Sequence, residues 1–151
     1  MARLALFALF LLFFGCAKDI NEMPLSLSEK TAISDQIRVT IKPNAILNNS
    51  IIRFQVMIET TQVLDFFDQD LIDISFITLN DDIVLEPSKK TVIEQTTYQS
   101  KSDLFFTVSD TSINVLEDIT QIEFTLFTPS ESIFNWQLAK IKTSEDKNSA
   151  D

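Results

Sequence analysis

Residues 51–59, Ile51-Ile52-Arg53-Phe54-Gln55-Val56-Met57-Ile58-Glu59, decide the fold. Ile52, Phe54, Val56 and Ile58 fall on one side of an extended chain, and Arg53, Gln55 and Glu59 on the other. A period of two is that of a strand buried on one face and wet on the other. Upstream, Ile37, Val39 and Ile41 alternate with Arg38, Thr40 and Lys42 in the same way. Pro43-Asn44 is expected to end that strand, and a loop through Asn48-Asn49 to lead into the next. Downstream, further strands are expected at Ile72–Phe76, Asp82–Leu85, Thr91–Tyr98, Leu104–Ser109, Ile119–Thr128 and Ile133–Lys142. Turn-forming clusters separate them at Asn80-Asp81, Pro87-Ser88, Ser100 to Asp103, Asp110 to Ser112 and Pro129-Ser130.

Seven or eight short strands at near-even spacing predict an all-β fold, a two-layer β-sandwich of the immunoglobulin-like kind, over residues 35–142. One interruption has a different period. Between Thr60 and Leu71, Val63, Leu64, Phe66, Phe67 and Leu71 recur at spacings of three and four, behind a threonine able to cap, so one short helix is expected there. Thr143 to Asp151 is charged and aperiodic and is expected to fray. Residues 16–34 are polar, broken by Pro24 and without period, the pattern of a tether.

The start of the chain bears on location. Met1 and Arg3 precede an unbroken apolar run, Leu4 to Phe14, closed by Gly15-Cys16. Such a run is too short for a hydrocarbon core of roughly 30 Å and has the length of a signal-peptide core, about 7–15 residues. Phe13-Phe14-Gly15-Cys16 resembles the lipobox of bacterial lipoproteins. The resemblance implies removal of residues 1–15, acylation of Cys16 and a protein held on a membrane by its lipid. Ala17 is not the aspartate that commonly retains such proteins at the inner membrane, so the resemblance points to the periplasmic face of the outer membrane. The alternative is a conventional signal with an incidental cysteine.

Removal of residues 1–15 takes away Arg3 and moves the formal net charge from −10 to −11. So acidic a chain, without lysine and arginine clusters, is not expected to bind nucleic acid. There is no histidine, Cys16 is the only cysteine, and Gly15 is the only glycine. The mature chain therefore has no histidine base, no thiol nucleophile beyond the lipidated one, no disulfide, and no glycine-rich phosphate loop or nucleophile elbow. No cofactor and no enzymatic activity are expected. Without glycine, tight hairpin turns of the primed types lose their preferred residue, so type I turns and longer loops are expected between strands.

Four acidic residues, Asp65, Asp68, Asp70 and Asp73, crowd one segment; they are either a solvated face or oxygen ligands for a hard cation such as calcium. Asp81-Asp82, Glu117-Asp118 and Glu145-Asp146 read as turn and tail charges. Phe105-Phe106 places adjacent rings on opposite faces of a strand, so one enters the core while the other is either covered or forms an apolar patch for a partner. Trp136, in line with Phe134 and Leu138, is expected in the core.

Ser50-Ile51-Ile52-Arg53-Phe54, Leu64-Asp65-Phe66-Phe67 and Val84-Leu85-Glu86-Pro87 carry a second resemblance, over roughly Ile37 to Phe106. Their order behind a lipobox resembles the outer-membrane lipoprotein of type VI secretion systems. That family implies a transthyretin-like sandwich and a partner, the periplasmic domain of an inner-membrane protein, bound through the loop after the first strand. Here that loop is Pro43 to Asn49, with Ile46, Leu47, Asn48 and Asn49 as partner-binding residues. Ile46 and Leu47 either form the centre of an interface or tuck beneath the sandwich. The function expected is thus a structural adaptor of an envelope complex. A small-ligand or ion-binding lipoprotein and an inhibitor or immunity lipoprotein are the alternatives.

Overall fold

The computed structural model describes residues 20–62, 70–128 and 130–138. Among these residues ten strands and one short helix follow one another as β1 (Glu22–Pro24), β2 (Lys30–Ser34), β3 (Ile37–Leu47), β4 (Ile51–Thr60), β5 (Ser75–Leu79), β6 (Ile83–Leu85), β7 (Pro87–Gln95), β8 (Gln99–Thr107), α1 (Val115–Asp118), β9 (Gln121–Thr128) and β10 (Ser130–Gln137). Two antiparallel sheets pack as a sandwich. The larger has the order β1-β3-β4-β8-β7, with β2 also on β3, and the smaller has the order β10-β9-β5-β6. The all-β sandwich expected from the alternation is the observed fold, with ten strands in place of seven or eight.

Parity decides which side chains meet between the sheets. Ile52, Phe54, Val56 and Ile58 of β4 are buried to 2% exposure or less, while the residues between them are half-buried. Phe54 lies at the centre of an aromatic cluster that joins the layers. Its ring centroid is 5.8 Å from Phe106 in its own sheet, and 5.1 Å from Phe124 and 5.7 Å from Trp136 in the other. Phe134 stacks on Trp136 at 6.4 Å. Trp136, expected as core, is core; its indole N–H donates to the Ser28 carbonyl at 2.7 Å, which satisfies the one polar group the ring carries inward.

Three stretches expected to break the sheets lie within them. Pro43-Asn44 does not end β3. The register against β4 slips between Pro43 and Ala45, a β-bulge at Asn44, and the strand continues to Leu47. The extra residue shifts parity, so Ile46 comes to face Ile52 across the ladder instead of pointing out. Pro87-Ser88 opens β7, an edge strand, where a missing N–H leaves no ladder bond unmade; another register shift follows between Pro87 and Lys89. Ser100 to Asp103 is the first half of β8, paired with β4 on one side and β7 on the other.

Two boundaries also move. The tether expected over residues 16–34 is replaced from Glu22 onward by β1 and β2, which pair with successive parts of β3. Ile72 to Ile74 is a turn, and the strand there begins at Ser75. Most of the segment expected as a helix, residues 63–69, and the tail after Leu138 lie outside the described residues. Among those described, the helix is α1.

Candidate functional site

Features converge at one end of the sandwich. Glu22 pairs with Leu47, so the start of β1 lies beside the turn between β3 and β4. The Leu138 N–H donates to the Thr120 carbonyl at 2.7 Å, so the chain leaving β10 lies beside the start of β9. The helix α1 closes this end.

Two turns hold α1, and both are of the type the glycine-free composition argued against. Asn48 and Asn49 have φ of 50° and 53°, and the Ser50 N–H donates to the Leu47 carbonyl at 3.1 Å. Asn80 and Asp81 have φ of 51° and 67°, and the Asp82 N–H donates to the Leu79 carbonyl at 3.2 Å. Positive φ at both central residues makes these type I′ turns, which match the twist of the strands they join. Asparagine and aspartate replace glycine because their short side chains tolerate the left-handed region. The expectation of type I turns is corrected at both positions.

The asparagine side chains then act on the helix. The Asn49 amide donates to Asn114 Oδ1 at 2.6 Å, and Asn49 Oδ1 accepts from the Leu116 N–H at 3.1 Å. Asn114 is the N-cap: its Oδ1 also accepts from the Leu116 N–H, and its own N–H donates to the Asp118 carboxylate at 2.7 Å. From the other sheet, the Asn80 amide donates to the Asp118 carbonyl at 2.8 Å. Asn80 Oδ1 accepts from the N–H groups of Thr120 and Gln121 and from the Thr120 hydroxyl. One turn from each sheet therefore grips one end of α1, and Val115 and Ile119 are buried beneath it.

Beside α1 the chain between β1 and β2, which runs along the β3 edge, walls a groove of about 330 Å³. Leu25 and Leu27 of that chain, Val115 and Leu116 of α1, buried Ile46 of β3 and Leu138 after β10 line it.

The residues expected to bind a partner meet this geometry unevenly. Ile46 and Leu47 are 2% and 8% exposed: of the two alternatives open for them, they tuck. The bulge at Asn44 turns Ile46 to the core face, and Leu47, of the other parity, is covered where β3 continues between β1 and β4. Asn48 is exposed and joins the turn to the start of the chain, its Oδ1 accepting from the Asn21 N–H at 3.1 Å. Asn49 is half-buried and engaged with Asn114 and Leu116. Cys16 lies outside the described residues.

Of the acidic segment, Asp65 and Asp68 are likewise outside them. Asp70 is bridged by the Lys90 ammonium at 2.6 Å and accepts from the Ile72 N–H at 3.1 Å. The Lys90 contact, with that N–H, holds its carboxyl below the usual carboxylate range. Among the described residues, no group of three histidine, cysteine, aspartate or glutamate side chains is arranged to hold a metal ion. Phe106 is core, whereas Phe105 is half-buried under the Lys89 ammonium, 5.3 Å from its centroid.

Apolar surface is exposed elsewhere. On the smaller sheet, Phe127, Ile133 and Val84 are 45%, 50% and 61% exposed, and the Phe127 ring lies 6.0 Å from half-buried Phe76. Of these residues sequence reasoning singles out Phe127, as either covered or part of an apolar patch for a partner; it does not single out the groove. Phe127 was legible as a residue of opposite parity to Phe124, but the groove depends on the path between β1 and β2, which has no periodic signal. No family model, curated protein or solved structure matches the chain.

Proposed function

We propose that this protein is an envelope lipoprotein, anchored by acyl chains on Cys16, that serves as a structural adaptor rather than an enzyme. One observation supports the reading above the others. The first strand begins at Glu22, only six residues beyond Cys16, and is tied into the larger sheet by the β3 ladder and by the Arg53–Glu22 ion pair at 2.6 Å. Six extended residues span at most ~20–22 Å. An anchor at Cys16 thus holds a rigid body near the bilayer with its α1 end towards the lipid, and the opposite end and both outer faces stay open to proteins. Apolar side chains exposed on the smaller sheet, Phe127 and Ile133 among them, suit such contacts. The resemblance to the type VI secretion lipoprotein supplies one setting, with the periplasmic domain of an inner-membrane protein as partner.

Two measurements test it. Intact mass of the mature protein is expected to show a chain beginning at Cys16 with two or three acyl groups, and Cys16→Ser to move the protein out of the membrane fraction. An unmodified N-terminus, or unchanged fractionation, overturns the anchor. Calcium titration of the domain by calorimetry is expected to give no saturable heat; saturable binding favours the ion-binding alternative over the adaptor.

A further inference from the structure

The groove beside α1 lies where the chain enters the fold. Ile20, four residues after Cys16, immediately precedes the Asn21 that is hydrogen-bonded to Asn48, and Met23 on β1 already belongs to the groove wall. Four extended residues span at most ~13–14 Å, so the Cys16 sulfur cannot stray far from this end of the molecule. The wall is aliphatic, with Leu25, Leu27, Ile46, Val115, Leu116 and Leu138, and among the described residues Ser26 alone brings a polar side chain to it. Among the described residues no charged side chain lines it, and no aromatic ring. A peptide needs partners for its backbone amides, and a charged ligand needs a counter-ion; this wall offers neither from its side chains. A flexible hydrocarbon needs only apolar surface. The volume, about 330 Å³, is at the lower end of the range for small-molecule sites.

We infer that the groove takes an acyl chain of the protein's own anchor at Cys16 while the protein is in water, and releases it when the bilayer is reached. The inference rests on the lipidation proposed above. A bilayer buries the whole chain and the groove only part of it, so the membrane-bound state leaves the groove empty. A lipoprotein crossing an aqueous compartment has no bilayer available, and a partly covered chain is less prone to draw copies together.

The full acylated protein, made in a bacterial host fed a fatty acid carrying a photoactivatable diazirine, tests this. Intact mass first establishes that Cys16 carries the label. Detergent is then removed, the monomer isolated by size exclusion, and the sample illuminated alone or on phospholipid vesicles. Crosslinks to Leu25, Leu27, Leu116 and Leu138 are expected in the free monomer, with several-fold fewer on vesicles. Leu116→Asp is expected to remove them and to shift the free protein to larger assemblies. Leu25→Gln, in a residue outside the strands and the helix, serves the same purpose if Leu116→Asp melts without cooperativity. Acylated protein that gives no groove crosslinks, keeps them unchanged in the variants, or cannot be held as a monomer without detergent overturns the inference and leaves the anchor standing. A mass without acyl groups removes the anchor, and its occupant with it.

Discussion

Asn80 combines a backbone conformation that side chains disfavour with hydrogen bonds to three other residues, and the two contributions are separable. Asn80→Gly keeps the left-handed conformation and loses the bonds, at an expected cost of roughly 1–3 kcal/mol. Asn80→Ala loses the bonds and adds the left-handed penalty, about 1–2 kcal/mol further. Urea unfolding of both variants measures the difference; equal midpoints would show that the turn relaxes. The turn itself was legible, since Asn80-Asp81 and Asn48-Asn49 stand between apolar runs. The sign of φ was not, because asparagine occupies both type I and type I′ turns and no glycine marks which. Asp70 supplies a second test. Its carboxyl titrates below the ordinary value of about 3.9, chiefly because Lys90 donates to it. The pair's contribution is therefore present above that value and fades as pH falls through the lower, folded one. Lys90→Met is expected to lower stability by no more than about 1 kcal/mol at pH 7, the pair being exposed, and the difference from the parent to vanish in acid. Melting temperatures across pH 2–7 check this.

At the scale of elements, α1 shows how a helix too short to persist alone is made. Its four residues rest on an N-cap that is itself held by a turn of the neighbouring sheet. Asn49→Ala and Asn114→Ala are each expected to cost about 1–2 kcal/mol, and together less than the sum, with a coupling near 1 kcal/mol in a double-mutant cycle. Strict additivity would mean that the 2.6 Å contact carries nothing. A four-residue helix is shorter than any window in which a helical period can be read, which is why Asn114 to Asp118 gave no signal. The breakers misled for a related reason. Proline and asparagine mark both strand ends and bulges: β3 keeps one ladder with β4 across its bulge at Pro43-Asn44, whereas Pro87-Ser88 follows the crossing from β6 in the smaller sheet and opens β7 in the larger. Ser100 to Asp103 is polar enough to resemble a loop, yet β4 and β7 supply backbone partners on both sides. Pairing of that kind overrides local propensity.

For the whole molecule, alternation was the reliable signal, and it predicts unequal costs for two neighbours. Phe54→Ala removes the ring that contacts both sheets and is expected to cost about 3–5 kcal/mol. Phe105→Ala, on the outer face beneath Lys89, is expected to cost about 1 kcal/mol. Denaturant midpoints compare them; similar losses would mean that the outer face is covered in solution. The candidate site was less legible than the core. The buried state of Ile46 follows from one bulge, and the groove from the chain between two edge strands, neither of which leaves a periodic trace. The order of the sheets also sets a clock. Ile51 pairs with Thr107 and Ser75 with Leu126, so β4 waits for β8 and β5 for β9 until most of the polypeptide exists. Folds dominated by such distant pairings close in milliseconds to seconds rather than microseconds. A newly made chain therefore remains a thread for some time after synthesis, and on the export proposed above a thread is the form in which it can be passed through a narrow pore.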